Sequence, residues 1–198
     1  MRTFLLALCM VVFAWSAIHP HDRFTWFLEV FPAIIAAVVL IATRRRFPLT
    51  PLLYVLIALH AIILMVGGKY TYAEVPLGFW MEQWFGFARN HYDRIGHFAQ
   101  GFVPAIAARE ILIRVALLRR GAWLNAIIFS MCLAISALYE LLEWAVAELS
   151  GTGAEAFLGT QGDVWDTQKD MFLASIGAIC AIVFLSRLHD RYLARMTE

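Results

Sequence analysis

The sequence predicts an all-α, polytopic membrane helix bundle of about six transmembrane helices, with an amphipathic helix on the outer surface. Three observations predict it. Hydrophobic residues make up 62% of the 198-residue chain and charged residues only 16%, and the mean hydropathy is +0.71. A soluble domain is nearer half apolar and a quarter charged. Apolar runs recur that approach the roughly 20 helical residues needed to cross a bilayer core of about 30 Å. Turn and charge signals separate them. The same composition excludes other classes. Disorder needs low hydrophobicity and high net charge. A net charge of +1 without a basic stripe argues against nucleic-acid binding. The cysteines number three and lie in apolar runs, so no disulfide framework is expected.

The first span is expected from Phe4 to Ile18, the second from Trp26 to Ala42 and the third from Leu52 to Val66. The fourth runs from about Ile95 to Leu118, the fifth from Ala122 to Ala147 and the sixth from Met171 to Leu185. Breaks are expected at His19-Pro20, Arg44 to Pro48, Gly67-Gly68 and Gly121. A glycine-rich loop, Gly151 to Gly162, precedes the last span. The first segment also has the outline of a signal peptide, with Arg2, an apolar run and Ala14-Trp15-Ser16. A second apolar helix follows almost at once, which favours a span. The lipid bilayer is the partner of the whole chain, 1–198, read as one integral domain. Oligomeric state is not legible.

Between spans three and four, Tyr70 to His91 is too polar to cross. It carries Glu74, Glu82, Arg89 and Asn90 among Phe79, Trp80, Trp84, Phe85 and Phe87. With residues 80, 84 and 87 on one helical face, it reads as an interfacial helix. Its aromatics either anchor the neighbouring spans or offer a platform to a lipid.

Orientation follows from Lys and Arg. With the N-terminus inside, the inner segments hold Arg2, Arg44, Arg45, Arg46, Arg114, Arg119, Arg120, Arg187, Arg191 and Arg195. The outer ones hold Arg23, Lys69, Arg89 and Arg94. This asymmetry predicts both termini in the cytoplasm.

The ionisable groups then gather at the outer ends of three helices. Asp93, His97 and Gly101 lie along one stripe of span four, with Gln100 beside them. Glu140 and Glu143 are three apart near the end of span five, with Ser136 one turn below. Asp163, Asp166 and Asp170 step by three and four into span six and share a face if that helix starts before Asp163. Acids in an apolar helix are costly and should face the bundle or a water-filled cleft. Like charges also raise one another's pKa unless a cation intervenes. Three arrangements relieve this. Some acids are protonated and act as acid or base; Arg94, Lys169 and the histidines pair with them; or a divalent metal binds. Glu140, Glu143, Asp163, Asp166 and Asp170 are the candidate metal ligands, and carboxylates with histidine suit Mg, Mn or Zn. Asp163 and Asp166 serve equally well as helix N-terminal acids. Arg109, deeper in span four, is expected to snorkel, and Glu29 lies near the outer end of span two.

Three motifs carry a family likeness. They are Asn90-His91-Tyr92-Asp93-Arg94 with His97-Phe98, Tyr139-Glu140-x-x-Glu143-Trp144, and Gly159-Thr160-Gln161-Gly162-Asp163-x-Trp165-Asp166-Thr167-Gln168-x-Asp170-Met171. Over nearly its whole length the chain resembles the YjdF-like bacterial inner-membrane proteins, a family of unknown function. The resemblance implies an inner-membrane location and gives no reaction. A more distant similarity is to the VanZ-like family, linked to glycopeptide-antibiotic resistance and the cell envelope. Asp93-x-x-x-His97-Phe98 fits its first motif. Glu140-x-x-Glu143 has Glu for Gln, and Asp170-x-x-x-Ala174-x-x-Gly177 has Ala for Asn. These departures change the polar chemistry, so resistance is not carried over. The similarity does imply that Asp93, His97, Glu140 and Asp170 meet.

The leading functional expectation is an outward-facing acidic and histidine site. It would belong to a membrane-embedded hydrolase or transferase acting on a lipid head group or cell-envelope intermediate. Glu140 or Glu143 would act as base or metal ligand, Asp93 would orient His97, and Asp170 would complete the catalytic set. The alternatives are a structural or accessory protein and, against the lack of an internal repeat, an ion or small-solute transporter.

Overall fold

The computed structural model describes residues 2–150 and 160–196. Residues 151–159, which hold most of the expected glycine-rich loop, lie outside the described residues. The architecture is all-helical, as the sequence predicts. Helix α1 covers Arg2–Ala17, α2 Arg23–Thr43 and α3 Pro51–Tyr70. A single 3-10 turn, Tyr72–Glu74, leads to α4, Pro76–Phe85. Then come α5, Tyr92–Arg114, and α6, Ala122–Ser150. The last helix is α7, Asp166–Cys180, which passes through a π turn, Ala181–Leu185, into α8, Ser186–Ala194.

Four helices are long and apolar enough to cross a membrane: α2, α3, α6 and the continuous α7–α8. Helix α1 is apolar but has 16 residues. Helix α5 has 23 residues but is much more polar than α1, α2, α3 and α6. The structure thus carries a multi-pass bundle with four clear spans.

Local chemistry explains the helix ends. Asp22 caps α2 by accepting from the Thr25 amide at 2.7 Å. Thr50 caps α3, and Pro51 fills its first turn, where no amide donor is needed. Gly86 closes α4 in the left-handed region at φ 68°. Phe87 therefore lies beyond the helix, against Phe85 and edge-on to His91, rather than on the face expected to hold residues 80, 84 and 87. Gly67-Gly68 does not break span three. Helix α3 runs on to Tyr70, and the two glycines let the Tyr72 ring and residues of α2 approach its backbone.

Burial sorts the helices. Helix α5 is the axis and packs most extensively on α7. Gly101 meets the backbone of Ala174, and Gly177 meets the backbone around Phe98, so α5 and α7 come into main-chain contact. Helix α6 supplies a buried stripe of Leu124, Ile128, Cys132, Ser136, Glu140 and Glu143. Its spacing of four, four, four, four and three is that of one helix face. The apolar members pack with Val103, Ile106 and Ala178, and the acids stand at one end. By contrast, α1 and α2 bury little beyond Ser16, Thr25, Glu29 and Val30, and present Phe27, Phe31, Val38 and Ile41 outward. That is the pattern of helices facing lipid.

Candidate metal centre

The polar ends of α5, α6 and α7 meet, as their spacing implies. Asp93, His97 and Asp170 each offer one ligand atom, and these atoms lie within 4.8 Å of one another. His97 Nε2 is 3.3 Å from Asp93 Oδ1 and 4.0 Å from Asp170 Oδ2. Bonds of about 2.0–2.2 Å to a tetrahedral ion set donor atoms about 3.4 Å apart, so a small contraction would close these three around one cation.

Gln100 engages one side of the histidine. His97 Nδ1 lies 3.2 Å from the Gln100 side-chain oxygen and donates to it. That leaves Nε2 facing the two aspartates. A metal-bound histidine usually donates its other N–H in this way. Asp93 and His97 are one turn apart, so α5 alone sets their mutual position. Asp170 is brought in by the glycine-mediated contact between α5 and α7.

Two carboxylate oxygens around the cluster lack hydrogen-bond partners. Glu140 Oε1 and Asp170 Oδ1 are buried and have no hydrogen-bond partner, although Glu140 and Asp170 are only 8% and 2% exposed. Buried carboxylate oxygens rarely go unsatisfied without an ion, water or proton to serve them. Glu140 Oε1 stands 3.7 Å from His97 Nδ1, so it lies behind the imidazole. Glu143 is buried on the same face of α6. Glu29 of α2, given little weight from sequence, is also buried here, close to Asp93, His97, Tyr72 and Tyr139.

The expectation of an outward-facing site is corrected by this burial. Asp93, His97, Glu140, Glu143 and Asp170 do gather, but His97, Glu140, Glu143 and Asp170 are buried within the bundle and Asp93 is only partly exposed beside them. The reason is packing. Backbone contact draws α5 and α7 together beside the cluster, and among the described residues a layer of ion pairs lies over it. In that layer Arg89 pairs with Asp163 and Asp166 and donates to the Thr160 carbonyl. Arg94 pairs with the same two acids, and Lys169 reaches Asp163 at 2.6 Å. Gln161 donates to the Asn90 carbonyl at 2.9 Å. An outward-facing acid–base site for a lipid head group or envelope intermediate is not what these residues form.

Asp163 and Asp166 therefore sit among cations at the rim. Helix α7 begins at Asp166, so Asp163 precedes it rather than sharing its face. The Lys169 ammonium beside Asp163 holds its carboxyl down to about 2.

A second polar cluster, little signalled by residue spacing, lies at the other end of α5. Glu110 is fully buried and accepts from the Thr50 amide at 3.0 Å and the Thr50 hydroxyl at 2.7 Å. His189 Nε2, from α8, lies 3.0 Å from Glu110. Arg109 Nη1 lies 2.9 Å from His189 Nδ1, and Arg109 Nη2 donates to Asp190 at 2.8 Å. A guanidinium only donates. His189 is accordingly neutral, accepting from Arg109 at Nδ1 and donating to Glu110 from Nε2. Arg109 is 3% exposed, so it does not snorkel to the interface as expected. Through these pairs, which leave only its Arg109 Nε without a partner, the cluster locks α3, α5 and α8 together. The signal available in the sequence was His189-Asp190 lying opposite Arg109-Glu110.

Comparison with known proteins agrees with the motif reading. Residues 1–191 match a family described as "Predicted membrane protein (DUF2238)". The chain is 55% identical over 185 residues to "Inner membrane protein YjdF" of Escherichia coli (strain K12), covering 93% of this chain and 88% of that protein. The likeness first seen in the three motifs thus extends over nearly the whole sequence. No solved structure matches.

Proposed function

The chain belongs to the DUF2238 family of membrane proteins, and we propose that it holds one divalent cation in a closed centre inside its helix bundle. The observation that carries this is the convergence of Asp93, His97 and Asp170 within 4.8 Å, with His97 Nδ1 already engaged by Gln100. One imidazole and two carboxylates suit Zn or Mn better than Mg, which prefers an all-oxygen shell and keeps several waters. Glu140 and Glu143 stand behind the imidazole rather than on the metal side. Asp163 and Asp166 belong to the ion-pair cover rather than to the metal. A closed centre of this kind ties helices together, as structural metal sites do. Here it would join α5 to α7.

The setting is the bacterial inner membrane, on the strength of the YjdF likeness. In this reading α1, α2, α3, α5, α6 and α7–α8 are six spans. Helix α4, with Trp80 and Trp84 exposed, lies in the outer interface. Both termini are cytoplasmic, because the arginine-rich segments Arg44 to Arg46, Arg119-Arg120 and Arg187 to Arg195 fall on one side.

Metal analysis of the detergent-purified full chain tests the centre. Near-stoichiometric Zn or Mn is expected in the wild type, with a large loss in Asp170→Asn and His97→Ala variants that keep their helical circular dichroism. Failure of the wild type to hold or take up either metal would overturn the reading.

A further inference from the structure

Among the described residues, Arg94 is the one cation that reaches both the ion-pair cover and the proposed centre. It follows Asp93 on α5 and precedes His97 by three residues. Its Nη2 is 3.3 Å from Asp163 Oδ2 and 3.6 Å from Asp166 Oδ1. Its Nε points the other way and lies 3.9 Å from Asp170 Oδ1. That separation is too long for a hydrogen bond. Yet Arg94 Nε and Asp170 Oδ1 are both buried, and neither has a hydrogen-bond partner. Two unsatisfied groups of opposite charge thus face each other across a gap that a small side-chain movement would close.

We propose that Arg94 is an exchangeable counter-cation for the centre: it neutralises Asp170 in the metal-free protein and withdraws onto Asp163 and Asp166 when a divalent cation binds. The proposal rests on the metal-centre reading above. A buried carboxylate without a partner is strongly destabilising, so Asp170 needs a cation whether or not a metal is bound. Arg94 supplies it from within the chain. The two rim aspartates give the displaced guanidinium a place to go, so the exchange leaves no charge stranded. Arg89 cannot do the same. Among the described residues, its ion pairs are with Asp163 and Asp166 alone. The two arginines carry equal charge in one layer but differ in reach, and that difference is what the experiment uses. A built-in competitor also sets a threshold. A monovalent ion gains too little to displace a guanidinium, whereas a divalent ion that binds an imidazole and two carboxylates gains enough.

The test is a chelator-buffered Zn²⁺ titration of the full-length protein in detergent, with wild type, Arg94→Gln, Arg94→Lys and Arg89→Gln compared. Removing the competitor should tighten binding at least about tenfold in Arg94→Gln. Arg89→Gln should stay within about threefold of wild type, and Arg94→Lys should lie nearer wild type than Arg94→Gln does. Equal tightening in Arg89→Gln would reduce the effect to general charge and overturn the exchange. Unchanged or weaker binding in Arg94→Gln would also overturn it. Should Arg94→Gln not fold, Asp163→Asn gives the opposite sign: with one resting place lost, Arg94 stays on Asp170 and Zn²⁺ binding weakens several-fold. Unchanged or tighter binding there sinks the exchange. If no protein in the series takes up Zn²⁺, the metal centre itself fails. If all bind alike, the exchange alone fails.

Discussion

Gly101 of α5 lies against the backbone carbonyl of Ala174 of α7, with no room between them for a methyl group. One turn away, Gly177 faces the Phe98 carbonyl in the same manner. These contacts fix the depth at which Asp170 meets Asp93 and His97. A Cβ at either glycine would meet backbone rather than a flexible side chain, so the helices themselves must separate.

Gly101→Ala and Gly177→Ala should each therefore destabilise the bundle by about 1–3 kcal/mol, in the range of overpacked cores. Thermal unfolding in detergent measures this. Leu141→Ala, on the exposed side of α6, should change the melting temperature far less. If the glycine variants melt like wild type, the α5–α7 contact is looser than described.

Gln100 holds the His97 tautomer without touching the metal. Gln100→Leu should weaken Zn²⁺ or Mn²⁺ binding by about 10–100-fold, the usual cost of losing such a supporting hydrogen bond. Its melting temperature without metal should stay near that of wild type. A variant that loses stability and keeps affinity would make Gln100 a packing residue instead.

The cluster at the other end of α5 should behave as a lock. Removing one partner of a buried charged network typically costs about 3–5 kcal/mol. Glu110→Ala and His189→Ala should reach that range. Asp190→Asn should cost less, because its side chain is 33% exposed. Metal binding at the opposite end, about 25 Å away along α5, should persist in any variant that still folds.

The ion-pair cover has a definite pH window. Asp163 has its carboxyl depressed from an ordinary value of 3.8 to about 2. A depressed acid stabilises the folded state above its unfolded pKa and loses that contribution as the pH falls through its folded value. Wild type and Asp163→Asn should thus melt apart at pH 7 and at pH 5, and converge toward pH 2. A difference between them that vanishes by pH 5 would mean that Lys169 is not holding the carboxylate.

The proposed topology is open to labelling. A membrane-impermeant maleimide should modify Phe87→Cys in cells whose outer membrane has been permeabilised, and should modify Arg45→Cys only after lysis. The reverse pattern would invert the orientation.

The fold was largely legible because hydrophobic run length is a strong signal, and each expected span overlaps a helix. The helix ends were less so. Gly67-Gly68 looks like a turn in sequence, yet its lack of side chains serves helix packing. The gathering of Asp93, His97, Glu140 and Asp170 was readable from helical spacing and motif likeness. Its enclosure was not. Whether converging helices leave a cleft depends on interhelical distance, and two glycines set that distance here. Glu29 and His189 were undervalued for a related reason. A lone polar residue in a span is informative only once its partner is known, and their partners lie on helices far away in the chain.

The lock at Glu110 also bears on how the protein is made. In the proposed six-span topology, a helix carrying His97, Arg109 and Glu110 enters hydrocarbon poorly on its own, since ionisable residues in a span are costly without partners. Thr50 is already synthesised when α5 emerges from the ribosome, but His189 comes 79 residues after Glu110. During that interval Glu110 lacks its His189 partner. The polar lock of α5 is complete only when the last helix arrives, so a chain truncated before α8 would lack it.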